Sequence, residues 1–259
     1  MQIPGIDPSA GLHRRVNVPW SIRDVLLGIG IVIGLVLATI LLLEMIANVT
    51  GQDDDWTTSG DLLGFPMAMA LAILLETFFL GPVIYFAVLR RGAILRQIGF
   101  VKPQGRRPYL VAIAAWLVGV AALIVWSLLT EALGIDLFKI PEPPAELVDF
   151  SGIKLALPLI VIGLFGPFCE EVFFRGFALP AFASRFGMWG GILISAALFS
   201  VFHLSIGAAV PIFVFGIVLA WLYVRTGSIY PSMVAHITQN IIATLAANWP
   251  PEPCFNVRF

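Results

Sequence analysis

Nineteen consecutive uncharged residues, Val25–Leu43, constrain this chain more than any other feature. A helix rises about 1.5 Å per residue and the hydrocarbon core of a bilayer is about 30 Å thick, so roughly 20 apolar residues cross it. The run carries no small-residue cleavage site and reads as an anchoring helix, not a removable signal. Further apolar stretches follow at Leu62–Leu89 (broken only by Glu76), Leu110–Leu129, Leu155–Cys169, Trp189–Leu204, Ala208–Val224 and Pro231–Ala247. The chain is 59% hydrophobic and 12% charged, with a mean hydropathy of +0.95. A soluble domain is about 45–50% apolar and about 25% charged, so a soluble enzyme, a secreted disulfide scaffold and a disordered chain are excluded. The expectation is an all-α, polytopic transmembrane helical bundle of about seven spanning helices, or eight if Leu62–Leu89 or Phe177–Phe186 divides.

The charges then set the layout. Fifteen basic and sixteen acidic residues leave a net charge of −1, so no field points toward nucleic acid. Arg14, Arg15 and Arg23 precede the first span, and Arg90, Arg91, Arg96, Lys102, Arg106 and Arg107 fall between the second and third. Basic loops stay on the cytoplasmic side, which predicts a multi-pass protein of the plasma membrane with its N-terminus inside. Asp53–Asp55 and the acidic Glu131–Lys154 connection then face outward. The expected division is a cytoplasmic segment 1–24, N-terminal helices and loops 25–154, a second transmembrane core 155–248 and a tail 249–259. Cys169 and Cys254 are too few and too differently placed for a disulfide framework. Cys254 is sixth from the end of the sequence, so the chain is not expected to be a prenylation substrate itself.

Ionisable side chains inside a spanning helix are costly, and are functional candidates by default. Glu170, Glu171 and Arg175 close the fourth stretch, His203 lies late in the fifth, and His236 with Asn240 lies in the seventh. Glu171 and Arg175 are four apart, share a helical face and can pair. Glu170 points about 100° away, free to face another helix. His236 and Asn240 are also four apart, so one face presents an imidazole and an amide together. A carboxylate, two imidazoles and an amide donor are the parts of an amide hydrolase: a base for water and donors for an oxyanion.

Glu170-Glu171-x-x-x-Arg175, Phe199-x-x-x-His203 and His236-x-x-x-Asn240, in this order on successive hydrophobic helices, resemble the three motifs of the CAAX-protease and bacteriocin-processing family, the type II CAAX prenyl endopeptidases and their bacterial relatives. The resemblance covers roughly Leu155–Ala247, including the Arg225-Thr-Gly-Ser turn. It implies a membrane-embedded endopeptidase whose substrate is a membrane-associated protein or peptide, of CAAX or leader-peptide type. By motif position, Glu170 assisted by His203 would activate water. His236 and Asn240 would hold the scissile carbonyl and its oxyanion, and Glu171 with Arg175 would brace the site. Family members are described both as metal-dependent and as glutamate proteases. Zinc could take Glu170, His203 and His236 as ligands with water in the fourth place. The His-Glu-x-x-His spacing of other zinc peptidases is absent.

Plainer readings stand beside these. Glu171 and Arg175 can serve as a structural ion pair, His203, His236 and Asn240 as interhelical hydrogen-bonding groups, and Cys169 as a small buried residue. Glu76 has no family counterpart; it either lines the same cavity, pairs with a base or packs as a carboxyl. A proton- or cation-coupled transporter is the alternative function, although paired halves with interrupted helices are missing. A non-enzymatic membrane scaffold is a third. With the fourth stretch ending near Cys169, Glu170 and His203 fall at different depths. Tilt, a longer fourth helix running to about Phe182, or a re-entrant fifth segment would bring them level.

Overall fold

The computed structural model describes residues 17–51, 57, 60–62, 65–142 and 150–248. Arg14, Arg15, Asp53–Asp55, Cys254, Arg258 and the tail 249–259 lie outside the described residues. Seven long helices run through the rest: α1 (Ile22–Thr50), α2 (Met67–Leu89), α3 (Arg107–Leu133), α4 (152–186), α5 (188–202), α6 (Ala209–Thr226) and α7 (Ile229–Ala247). Among the described residues, the extended structure is a two-residue pairing of Asp61–Leu62 with Phe65–Pro66. Five stretches are long and apolar enough to cross a membrane, and one of them, Gly152–Phe202, contains both α4 and α5. The all-helical membrane bundle expected from the hydropathy is therefore what the chain forms.

Local chemistry sets the ends. Ser21 caps α1 by accepting from the Asp24 amide at 3.4 Å, while the Ser21 amide donates to Asp24 Oδ2 at 2.9 Å. Together these satisfy two groups that a helix start otherwise leaves orphaned. Asp24 is buried and pairs with Arg90 at 3.3 Å and Arg91 at 3.0 Å, which ties the start of α1 to the end of α2. Gly28 allows the two helices to touch, since a Cβ there would sit 2.8 Å from Pro82 Cβ.

The main departure from the sequence reading is α4. Its charged stretch was expected to end the helix, yet the helix starts at Gly152 and continues past Phe182 to residue 186. The cause is burial: Glu171 and Arg175 neutralise each other 2.9 Å apart, and Phe173, Phe174 and Phe177 beside them are fully buried. Two segments of α4, Val161–Phe165 and Glu171–Ala178, are wide turns with i→i+5 hydrogen bonds. Wide turns of this kind occur often at functional sites. The chain reverses at Gly187, whose φ of 76° and ψ of 170° belong to a region open essentially to glycine. Glu170 lies seventeen residues before Gly187 and His203 sixteen after it. On antiparallel helices of equal rise these distances bring the two residues to the same level, and the longer fourth helix removes the mismatch in depth.

The core is centred on α4. Phe173, Phe174 and Phe177 pack with Phe79 of α2 and Phe199 of α5, with ring centroids 5.1–5.9 Å apart in these contacts. Gly119 of α3 admits the Phe215 ring of α6 into the space that a Cβ would occupy.

Replacing Gly187 with alanine strains the reversal. Gly187→Ala should lower stability by about 1–3 kcal/mol in detergent unfolding measurements. Gly30→Ala is the control: among the described residues nothing outside its own helix turn lies within 4 Å of its Cβ position, so it should leave stability unchanged or higher.

Candidate active site

The site forms where α4, α5 and α7 meet. The Glu170 carboxyl is nearly buried and is faced by both intramembrane histidines. His236 Nε2 lies 3.4 Å from Glu170 Oε2 and His203 Nε2 lies 3.9 Å from Oε1. The second nitrogen of each ring is already engaged. His203 Nδ1 is 2.8 Å from the Phe199 carbonyl, which can only accept, so Nδ1 carries the hydrogen. His236 Nδ1 is 3.0 Å from Glu171 Oε1, a carboxylate held by Arg175, and donates to it in the same way. Both rings are thus oriented by acceptors at Nδ1 and present Nε2 to one carboxyl. The order carboxylate, imidazole, reacting group is the logic by which a buried acid orients a catalytic histidine.

Glu171 and Arg175 form the support. Both side chains are completely buried. Arg175 stacks 4.2 Å from the Phe199 ring centre and donates from Nη2 to the Gly216 carbonyl at 3.4 Å. Gly216 lets α6 come close enough for this, since a Cβ there would lie 3.1 Å from Ala196. A guanidinium with a carboxylate, a ring face and a carbonyl around it is a charge compensated on several sides.

Asn240 reaches the same helix by another route. Its Nδ2 donates to the Ile162 carbonyl at 3.1 Å. The reason lies in the wide turn: the Gly166 amide bonds Val161 O, so the next donor in that register would be residue 167, which is proline and has no N–H. The Ile162 carbonyl is left without a backbone partner, and Asn240 supplies one. Two more α4 carbonyls receive side chains from elsewhere, Phe174 O from Ser195 Oγ and Phe177 O from Trp20 Nε1, both at 2.8 Å. The sequence reading found Asn240 but not its partner. It missed Ser195 and Gly216 altogether; Pro167, which removes the N–H due to the Ile162 carbonyl, is the signal for the Asn240 contact.

Glu170, His203 and His236 are donors of the right kind for zinc, and acceptors at Nδ1 are what ligating histidines need. Among the described residues, no three His, Cys, Asp or Glu side chains are grouped closely enough to hold a metal. Cys169 is buried, in keeping with its plainer reading.

The three motifs thus assemble a carboxyl faced by two oriented imidazoles inside a helical bundle. In comparison with known proteins, residues 152–242, about a third of the chain, match the family model described as type II CAAX prenyl endopeptidase Rce1-like. This bears out the resemblance read from the motifs, and the matched segment holds all three of them. An uncharacterized 24.3 kDa protein of Escherichia coli is 27% identical over 135 residues, covering 50% of this chain and 62% of that protein. A protein of Bacillus subtilis (strain 168), YdiL, named as a candidate membrane peptidase, is 28% identical over 92 residues, covering 35% of this chain and 38% of its own length. The matched regions span less than two thirds of either relative. No solved structure matches.

The Asn240 contact can be tested through its cause. Asn240→Ala should cost about 1–3 kcal/mol of stability by orphaning a half-buried carbonyl. Pro167→Ala restores an N–H at the next position, so the double variant should regain at least half of that loss in thermal unfolding. Additive losses would refute the pairing.

Proposed function

We propose that this protein is an intramembrane endopeptidase in which Glu170 activates water for attack on a peptide bond. The observation that carries this reading is the convergence of two Nδ1-anchored imidazoles on one carboxyl. At 3.9 Å, Glu170 and His203 are too far apart for a direct hydrogen bond, but a water about 2.8 Å from each can bridge them.

In the proposed reaction the water oxygen bonds to the scissile carbonyl carbon as its proton passes to Glu170. The C–N bond then breaks and Glu170 returns that proton to the leaving nitrogen. His203, fixed by the Phe199 carbonyl, orients the water. His236, held at Nδ1 by Glu171, turns its Nε2 edge toward the developing oxyanion. One hydrogen of the Asn240 amide is held by Ile162, which aims the other at the same oxygen. Glu171 and Arg175 keep His236 in place.

The substrate in this reading is a membrane-associated protein or peptide of CAAX or leader type, and the protein sits in the plasma membrane with its N-terminus cytoplasmic. The concentration of Arg90, Arg91, Arg96, Lys102, Arg106 and Arg107 in one connection supports that orientation.

Glu170→Gln and His203→Ala should each reduce cleavage at least 100-fold while leaving thermal unfolding unchanged. The substrate is found as the uncleaved protein that accumulates in cells carrying Glu170→Gln. Near-wild-type cleavage by Glu170→Gln would refute the proposal. Dialysis of the purified enzyme against a chelator should leave its rate unchanged; loss of activity that zinc restores would replace the glutamate mechanism with a metal one.

A further inference from the structure

Glu76 is a half-buried acid in the bundle that the proposed reaction does not use. It lies in α2, outside the segment that matches the family. Its carboxyl fits into a notch on α4 formed by Gly166, where a Cβ would be 3.4 Å from both Cδ and Oε1. Gly166 is one turn before Glu170, so Glu76 sits about 5–6 Å along the helix from the water-activating residue and on the same face.

What sets Glu76 apart is its partner list. Glu171 is held by Arg175 and His236, and Glu170 faces both histidines. Glu76 makes no ion pair among the described residues; its Oε2 is buried without a hydrogen-bond partner, as is Glu171 Oε2, but Glu171 has its charge partners and Glu76 has none. An acceptor kept in a membrane helix without a donor of its own chain is suited to a donor that arrives from outside.

A peptide positioned for cleavage brings such donors. Its backbone must be extended at the scissile bond, which strips local N–H groups of their helical partners, and an unpaired N–H away from water costs several kcal/mol. An extended chain advances about 3.3 Å per residue, so one turn of α4 corresponds to one or two residues of substrate. We propose that Glu76 is a substrate-binding residue of this site, accepting a hydrogen bond from a backbone N–H of the bound peptide one or two residues from the scissile bond. The proposal rests on the peptidase reading above and extends it to the N-terminal half of the chain.

The test uses the full-length protein in detergent and a quenched-fluorescent peptide spanning the cleavage site identified with Glu170→Gln. Glu76→Ala should raise KM about five- to tenfold with kcat within about twofold, the loss of one neutral hydrogen bond. Glu76→Gln retains an acceptor oxygen and should keep KM within about twofold. A second measurement does not depend on how the variants fold: ester analogues of the peptide lacking one N–H, at each of the two positions on either side of the scissile bond, are cleaved by the wild-type protein. One of them should show the same rise in KM, and with Glu76→Ala that analogue should show no further rise. The inference is overturned if Glu76→Ala and all the ester analogues behave as wild type. It is also overturned if Glu76→Gln lowers kcat as much as Glu76→Ala, which would make the residue a proton-transfer group. Active Glu170→Gln would instead overturn the peptidase reading itself, a result distinct from either of these.

Discussion

The buried pair of Glu171 and Arg175 is the interaction on which the rest of the site depends. Two charges with no exposure to solvent are tolerable only when paired and further compensated by their surroundings, and leaving one unpaired typically costs about 3–5 kcal/mol. Here the compensation comes from three other helices. The Phe199 ring of α5 covers the guanidinium, the Gly216 carbonyl of α6 accepts from it, and His236 of α7 donates to the carboxylate. Satisfying the ion pair therefore fixes the bundle and sets the His236 ring toward Glu170 in the same step.

A second set of constraints comes from the backbone of α4. Regular helices consume their own carbonyls, which leaves little for neighbouring helices to hold. The wide turns and prolines of α4 loosen that accounting, and Asn240, Ser195 and Trp20 each occupy an α4 carbonyl. In a membrane, where an unpaired carbonyl has no water to turn to, such contacts specify which helix lies where. Helix α4 thus carries the carboxyl at the centre of the site and also the anchoring points for α5, α7 and the segment leading into α1.

Much of this was legible in the sequence, for identifiable reasons. Long uncharged runs leave few alternatives to spanning helices. A four-residue spacing gave the Glu171–Arg175 pair and, by rotation, sent Glu170 toward other helices, where the two histidines meet it. Other features were hidden because they depend on tertiary contacts. The extent of α4 could not be read from its charges, since these are neutralised by each other and buried by aromatic rings. Gly187 does not look like a reversal among 24 glycines. The partner of Asn240 is a backbone carbonyl, which has no signature of its own, and Glu76 acquires neighbours only when α2 is laid against Gly166.

The reversal at Gly187 bears on how a chain of this design can vary in length. Since Glu170 and His203 meet only because the arms on either side of Gly187 are nearly equal, inserting one residue into either arm would slide one group past the other by about 1.5 Å and swing it by about 100°. The 33-residue interval between them is therefore nearly rigid in number. The connections from α1 to α2 and from α3 to α4 are outside that path. Length variation tolerated in this protein should collect there, as additions or losses of loop that leave the spacing between Glu170 and His203 untouched.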